Sequence, residues 1–439
     1  MENKLIRFHN LANSIKKKID ELTTKGVSGT LFPRIEFRTE LVDPLLWLKA
    51  QPQKEKIFFE PRGRGKPAVS AAGKIFVSSW PDPEKSGLFG GVSFFKAKDN
   101  GDEWKAFGAS KFILPRFEYR IEDKKGFFAV NFLNKEITGQ NRDVLYSIID
   151  ELVIEPARER SDRENLKFNN FTPDKEEWIN MITRYLDRIK KGEVEKIVGA
   201  RRLEFDHEGN IDPFMILQEL KKTGDSTANF LFSFNGEDYF IGATPERLFR
   251  REGDLLSAES VAGTSCRGSD KDEDEILGRD LLGSEKNCLE HDIVTEDIVK
   301  RIDPLCEMVE VSERTLIKLS NLQHLYRKIS SKVKKGVTDM EIIDAMAPTP
   351  AVSGKPLKKS IDILKNEEPF QRGWYSGVVG FAGKNISDYY VAIRSVLLRK
   401  DKIFIYSGAG IVPGSDPEKE WEEINLKIVK YKKILKYEI

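Results

Sequence analysis

The sequence predicts an α+β fold of packed sheets with surrounding helices, and three observations carry that prediction. Short alternating runs, such as Lys74-Ile75-Phe76-Val77 and Gly126-Phe127-Phe128-Ala129-Val130, read as strands separated by Gly, Pro and Asp turns. Elsewhere apolar residues recur at helical spacing behind a capping residue, as Trp178, Ile182, Tyr185 and Ile189 do behind Asp174. Helices and strands also come in groups, without the strict alternation of a doubly wound parallel sheet.

The N-terminal stretch is strand-like. It ends at a seam over 155–174, EPARERSDRENLKFNNFTPD, which is charged, poor in aliphatics and punctuated by Pro156 and Pro173, as an exposed connection would be. On this reading residues 1–165 form a divergent N-terminal part and residues 166–439 the part that carries the chemistry, the two making one structural unit. After the seam come the helix capped by Asp174 and strands at 196–200, 229–234 and 239–243. A long helix follows from Ser284 to about Arg301. The last third holds strands at 377–382, 389–398 and 403–407, then a terminal helix that opens at Pro417 behind Asp416.

Composition narrows the function classes. The 439 residues carry 72 Lys+Arg and 71 Asp+Glu, so a third of the chain is charged yet the net charge is +1. The positive excess of a nucleic-acid-binding chain is absent. A content of 39% hydrophobic and 10% aromatic residues separates the chain from a disordered solubiliser. No apolar run approaches the ~20 residues of a membrane helix, and Met1-Glu2-Asn3-Lys4-Leu5-Ile6-Arg7 holds no apolar signal region. Cys266, Cys288 and Cys306 have no paired spacing, and the four histidines include no ligand-spaced pair. A disulfide framework and a His-based zinc site are therefore not expected. The expectation is a cytoplasmic globular protein without nucleic-acid or membrane partners, a monomer or a weak homodimer.

Several residues could carry chemistry. In the terminal helix Glu420, Glu423 and Lys427 share one face at about 100° per residue. Trp421, Ile424, Ile428, Tyr431 and Leu435 form the apolar stripe beside it. Lys286, Asn287 and Glu290 share a face of the helix that starts at Ser284. Carboxylates on two helices, in a chain poor in histidine, suit a hard ion such as Mg²⁺. An ordinary solvated face is the competing reading of either helix alone. Gly408-Ala409-Gly410, placed just after a strand, could turn backbone N–H groups toward an anion or form a plain tight turn. Arg394 sits in an otherwise apolar strand, a setting in which arginine forks onto a carboxylate of protein or ligand. Lys196, flanked by apolar residues, could have a lowered pKa and act as a base, or could extend to solvent. Glu246, after a turn stiffened by Pro245, could serve as a general acid when buried, or pair with Arg247 or Arg250.

These residues fall in ordered segments: KIVGAR, GATPERL, SAESVAGTSCRG, SEKNCLEH, LQHL, PTPAVSG, RGWYSGVVG, VAIRS and SGAGIVPGSDPEKEW. Together they resemble the chorismate-utilising enzymes, and within them the isochorismate synthases, over roughly residues 175–427. The segments GTLFPRIEF and LVDPLLWLKAQP resemble the N-terminal part of the same enzymes. The resemblance implies one large domain of packed sheets and helices with its active site in a cleft. It implies Mg²⁺ held by Glu290 and Glu423, with Glu420 and Asn287 acting through water. Arg394, Lys427 and the amides of Gly408, Ala409 and Gly410 would hold the two substrate carboxylates, and Gly263 and Thr264 would lie in a loop lining the ring. Lys196 would be the base that activates water, Glu246 the acid that protonates the departing ring hydroxyl, and His324 a histidine near the enolpyruvyl side.

The implied substrate, chorismate, is a dianion, so its recognition needs cationic groups at both ends. Each charge-assisted hydrogen bond to a carboxylate would contribute about 1.5–3 kcal/mol. Members that use ammonia generally lack the lysine base, so Lys196 favours water and an isochorismate product. Members that form aminodeoxychorismate carry a lysine where this chain has Ala262. The implied activity is therefore a Mg²⁺-dependent isochorismate synthase, serving menaquinone or siderophore biosynthesis. A salicylate synthase is the alternative, and a non-catalytic chorismate-binding protein is disfavoured by the joint presence of Lys196, Glu246, Glu290 and Glu423. One departure is Ala347-Pro348-Thr349-Pro350, where relatives usually read His-Pro-Thr-Pro; it is expected to alter packing of the loop before Ser353-Gly354.

Overall fold

The computed structural model describes residues 5–25, 31–63, 66–81, 87–96, 101–138, 142–153, 155–157, 166–208, 211–222, 227–319 and 322–436. Residues 158–165 of the expected seam, the first four residues, and Gly29-Thr30 of the upstream motif lie outside them.

Among the described residues, two antiparallel sheets of twelve and ten strands lie at the centre. The first runs from Arg34–Thr39 through Lys56–Glu60, Ala228–Ser233, Tyr239–Thr244, Ser395–Leu398, Lys402–Ile411 and Lys196–Asp206 to the short Gly354–Lys355. The second runs from Cys306–Val311 through Leu322–Val333, Leu255–Cys266, Arg247–Glu252, Ile386–Val391 and Val378–Ala382 to Leu88–Val92 and beyond. Strands from both sides of residue 165 share both sheets: Lys56–Glu60 pairs with Ala228–Ser233, and Leu88–Val92 with Val378–Ala382.

Period-two alternation divides the side chains among three cores. Phe230 and Phe232 point between the sheets, into an aromatic layer with Phe59, Phe89, Phe240, Trp374 and Tyr390. Leu231, with Ile241, Val396 and Ile405, faces outward against Ile15, Leu217, Ile428 and Tyr431 of covering helices. The outer face of the second sheet, with Phe249, Ala258, Ile329 and Tyr389, is covered by Val294, Ile298, Ile343 and Leu364. Each fully buried large apolar side chain contributes about 1.5–3 kcal/mol, so the fold is a sandwich of two sheets between helical layers, as the α+β expectation had it.

The expected caps hold the helices that matter. Asp174 accepts from the Glu177 amide at 2.9 Å while Glu177 accepts from the Asp174 amide at 3.0 Å, opening Lys175–Lys190. Ser284 caps Glu285–Ile302, and Asp416 accepts from the Lys419 amide at 3.0 Å to open Pro417–Leu435. Among the described residues no helix is long and apolar enough to cross a membrane.

Two expectations are corrected. The run 389–398 is not one strand: Ile386–Val391 belongs to the second sheet and Ser395–Leu398 to the first, with the chain crossing between them at 392–394. The strand expected at 403–407 runs on to Ile411, so Gly408-Ala409-Gly410 lies within it. In both cases pairing with neighbours, invisible to a one-dimensional pattern, decides where a strand stops.

Candidate active site

A cleft opens where segments of both sheets meet the Glu285–Ile302 and Pro417–Leu435 helices. Ten of the fourteen candidate residues line it: Glu246, Gly263, Thr264, Glu290, His324, Arg394, Gly408, Gly410, Glu423 and Lys427. Lys196, Asn287, Ala409 and Glu420 stand behind the wall.

Glu246 follows the turn by which the chain leaves the first sheet, at Tyr239–Thr244, for the second, at Arg247–Glu252. The Val391 amide donates to the Glu246 carbonyl at 3.0 Å, and the Thr244 hydroxyl donates to the Val391 carbonyl at 2.7 Å. The Glu246 side chain is 5% exposed, and Oε1 accepts from the Thr349 hydroxyl at 3.4 Å. The arginines that could have paired with it are engaged elsewhere. Arg247 donates to Asp388 at 2.9 Å and Glu259 at 3.3 Å, and Arg250 to Glu252 and Asp388. Burial therefore pushes the Glu246 carboxyl up to about 7, against the opposing pull of Lys196. A carboxyl that keeps its proton in a good share of molecules near neutral pH, on a cleft wall, is equipped to donate it.

Lys196 opens the strand Lys196–Asp206 and does not extend to solvent: its side chain is 0% exposed. Its ammonium donates to Glu290 Oε1 at 2.9 Å. Lys286 donates to Glu420 Oε1 at 2.7 Å, and Lys427 lies 2.7 Å from Glu423 Oε1 and donates to the Gly408 carbonyl at 2.8 Å. Each of the three carboxylates thus has one lysine. Burial alone would raise Glu290, but the charges of Lys196, Lys427 and Lys286 outweigh it and hold that carboxyl below its usual range. Glu420 is 2% exposed, and burial together with the neighbouring Glu423 raises it in spite of Lys286.

Arg394 is not inside a strand as expected. It sits at the crossover between the two sheets with φ +52°, in the left-handed region that non-glycine residues seldom adopt. Its carbonyl accepts from the Ala243 amide at 3.1 Å, and its guanidinium donates to the Lys427 carbonyl at 3.3 Å. The crossover therefore aims a half-buried cation into the cleft beside Lys427.

Nor do Gly408 and Gly410 form a turn. They pair with Ala200 and Val198 in the ladder, and what they supply is room. A Cβ on Gly410 would collide with Glu290 Oε1 and meet Lys196 Cε at 3.0 Å; one on Gly408 would lie 2.8 Å from the Gly199 carbonyl. Ala409 points the other way, into the core against the outer helices. Gly263 belongs to a bulge in the strand Leu255–Cys266, where its φ of +70° shifts the register between Ala262 and Thr264. Thr264 then faces His324 across the ladder, hydroxyl to Nδ1 at 3.1 Å, and His324 Nδ1 lies 3.2 Å from the Gly263 carbonyl. Burial, with the charges of Arg394 and Lys427, lowers His324 to about 3, so the ring is neutral at physiological pH.

The donor set suits a hard cation: Glu290 and Glu423 present carboxylate oxygens to the cleft from facing helices. Among the described residues no three Asp, Glu, His or Cys side chains converge to hold an ion. Two carboxylates, with water and substrate oxygens completing an octahedron, are what Mg²⁺ typically takes, so the residues fit it. Asn287 and Glu420 are engaged with Ser284 and Lys286 instead.

The sequence reading did not single out Thr349, Tyr375 or Ser376 as site residues. Tyr375 and Ser376 line the cleft, Tyr375 stacks on Tyr406 at 4.9 Å between centroids, and Thr349 reaches Glu246. The segments PTPAVSG and RGWYSGVVG contained the signal. Ala347 is buried, and the following loop is anchored by Arg301 donating to the Pro348 carbonyl at 2.9 Å.

Known proteins resemble this chain along most of its length. A family model described as chorismate binding enzyme matches residues 77–436. The isochorismate synthase MenF of Haemophilus influenzae is 32% identical over 403 residues, 90% of this chain and 89% of that protein. The isochorismate synthase MenF of Bacillus subtilis is 30% identical over 347 residues, 78% of this chain and 73% of that one. The solved structure of MenF, the menaquinone-specific isochorismate synthase from Escherichia coli, superposes with a TM-score of 0.82 at 26% identity, covering 96% of this chain and all of the other.

Proposed function

The chain belongs to the family of chorismate-binding enzymes, and from that premise we propose how it works. Its activity is that of an isochorismate synthase, an isomerisation of chorismate, and the name of its MenF relatives implies menaquinone biosynthesis. We also propose a cytoplasmic location, on the composition of the chain.

The reaction adds water at one ring carbon and expels the hydroxyl at another. A C–O bond forms as the water loses a proton, and a second C–O bond breaks as the leaving oxygen gains one. The observation that carries this reading is Glu246, a buried carboxyl raised to about 7 on a cleft wall that also presents cations. In the proposal Glu246 delivers the proton to the leaving hydroxyl and Lys196, as the free amine, takes the proton of the attacking water. Arg394 and Lys427 hold substrate carboxylates, since both cations line the cleft where a dianion must sit. Neutral His324 and Thr264 offer a hydrogen-bonding pair beside the ring.

Glu290 and Glu423 would hold Mg²⁺, which when bound would offset carboxylate charge and polarise the substrate. Lys196 and Lys427 pair with these two carboxylates. Incubation with chorismate and Mg²⁺, followed by chromatographic product analysis, tests the proposal. Isochorismate is the expected product; salicylate with pyruvate would refute it in favour of a lyase.

A further inference from the structure

The strand that begins with Lys196 is paired from Ile197 to Asp206 with Lys402–Ile411 on one side. On its other side it has two short partners: Gly354–Lys355 opposite Lys196 and Ile197, and Lys167–Thr172 opposite Arg202 onward. Between them, at 198–201, no strand is present among the described residues. The Val198 amide donates to the Ser353 carbonyl at 2.9 Å, and two side chains fill the rest of the gap. Arg372 Nη2 donates to the Val198 carbonyl at 2.7 Å, and Glu368 Oε1 accepts from the Ala200 amide at 3.1 Å. A guanidinium and a carboxylate here do what the N–H and C=O of a neighbouring strand would do.

The same guanidinium reaches further. Arg372 Nη1 donates to the Val352 carbonyl at 2.7 Å, and Nε donates to Glu368 Oε2 at 2.7 Å. Val352 belongs to the loop that carries Thr349, the hydrogen-bond partner of Glu246. The Arg372 carbonyl accepts from the amide of Tyr375, which lines the cleft. Both side chains of the pair are 0% exposed. A fully buried ion pair yields little net stability, because desolvation offsets the attraction. What it fixes is geometry.

We propose that Glu368 and Arg372 are positioning residues: the pair substitutes for a missing stretch of strand and sets the placement of Lys196 relative to the loop that holds Glu246. This rests on the roles proposed for Lys196 and Glu246. Substrate would meet the same carboxylate-binding groups without the pair, so the defect belongs in turnover and in the seclusion of Glu246.

The test is Arg372→Lys, which keeps the charge but cannot reach three acceptors at once, with Glu368→Gln as a milder second variant. Infrared titration of the Glu246 carboxyl is the direct readout, identified by its loss in Glu246→Gln. We expect kcat to fall about tenfold or more, KM to stay within about twofold, and the carboxyl midpoint to drop from about 7 toward the ordinary range as water enters. Ile149→Val, in the outer core, is the control for stability loss alone and should leave all three unchanged. An Arg372→Lys protein that is folded with unchanged kcat and midpoint overturns the inference. So does an equal effect in the control or, where Arg372→Lys does not fold, unchanged values in Glu368→Gln. If the wild type shows no carboxyl titrating near 7, the acid assignment fails first and the inference with it.

Discussion

Lys196 Nζ lies 2.9 Å from Glu290 Oε1, so the residue proposed to activate water is bonded to a residue proposed to hold the metal. The ammonium is screened from the cleft by that carboxylate. Whatever draws Glu290 toward another cation uncovers Lys196.

Lys196→Ala should therefore stop turnover without unfolding the protein. The expected fall in kcat is about 100- to 10,000-fold, the range for a lost general base. Circular dichroism should be unchanged, and near-normal isochorismate formation would remove Lys196 from the role of base.

Glu246 predicts a pH dependence with a definite sign. Its folded pKa, about 7, lies above the ordinary glutamate value of 4.5. The proton-donating form dominates below pH 7, so kcat should decline above it. The folded state also holds a proton that the unfolded chain releases, so stability is favoured below pH 4.5 and lost as pH rises through 7. The shift corresponds to roughly 3 kcal/mol. In Glu246→Gln activity should vanish and that part of the stability profile should flatten. Urea unfolding across pH 4 to 8 checks the second point; an unchanged profile would show that another group titrates.

The two glutamates of the terminal helix should behave differently. Glu423 lines the cleft and Glu420 is buried beside Lys286. Glu423→Gln should raise the Mg²⁺ concentration needed for half-maximal activity by about tenfold or more, and Glu420→Gln by much less. Equal shifts in the two titrations would contradict the assignment.

Gly410→Ala probes the space at the cleft floor. The added methyl would fall on Glu290 Oε1 and press on Lys196 Cε. Metal dependence should weaken and kcat should drop, while the melting temperature moves little, because Glu290 is a flexible side chain that can be displaced. Wild-type kinetics in this variant would show that Glu290 does not need its present position.

Much of this site is legible in the residues themselves. Asp174, Ser284 and Asp416 announce their helices because capping is local chemistry, and the faces bearing Glu290, Glu423 and Lys427 follow from helical periodicity. Arg394, Gly408 and Gly410 line the cleft, but in a local structure other than the expected one. A strand that changes sheets at 392–394 keeps an apolar pattern throughout, and a glycine in a ladder reads like a glycine in a turn. Arg372 and Glu368 are still less visible, for their role depends on a gap between two partner strands distant in sequence.

The three lysine–glutamate couples have a practical consequence. Their six charges cancel and Arg394 adds one positive charge to the cleft, so a lone dication would be repelled and a lone dianion left short of one counter-charge. The two are best accepted together, as a neutral salt. Ligand screens run in chelator-treated buffer should therefore miss dicarboxylates that bind well beside a divalent ion. A compound carrying its own ammonium next to its carboxylates should bind in either buffer, which makes zwitterions the logical starting point for inhibitors.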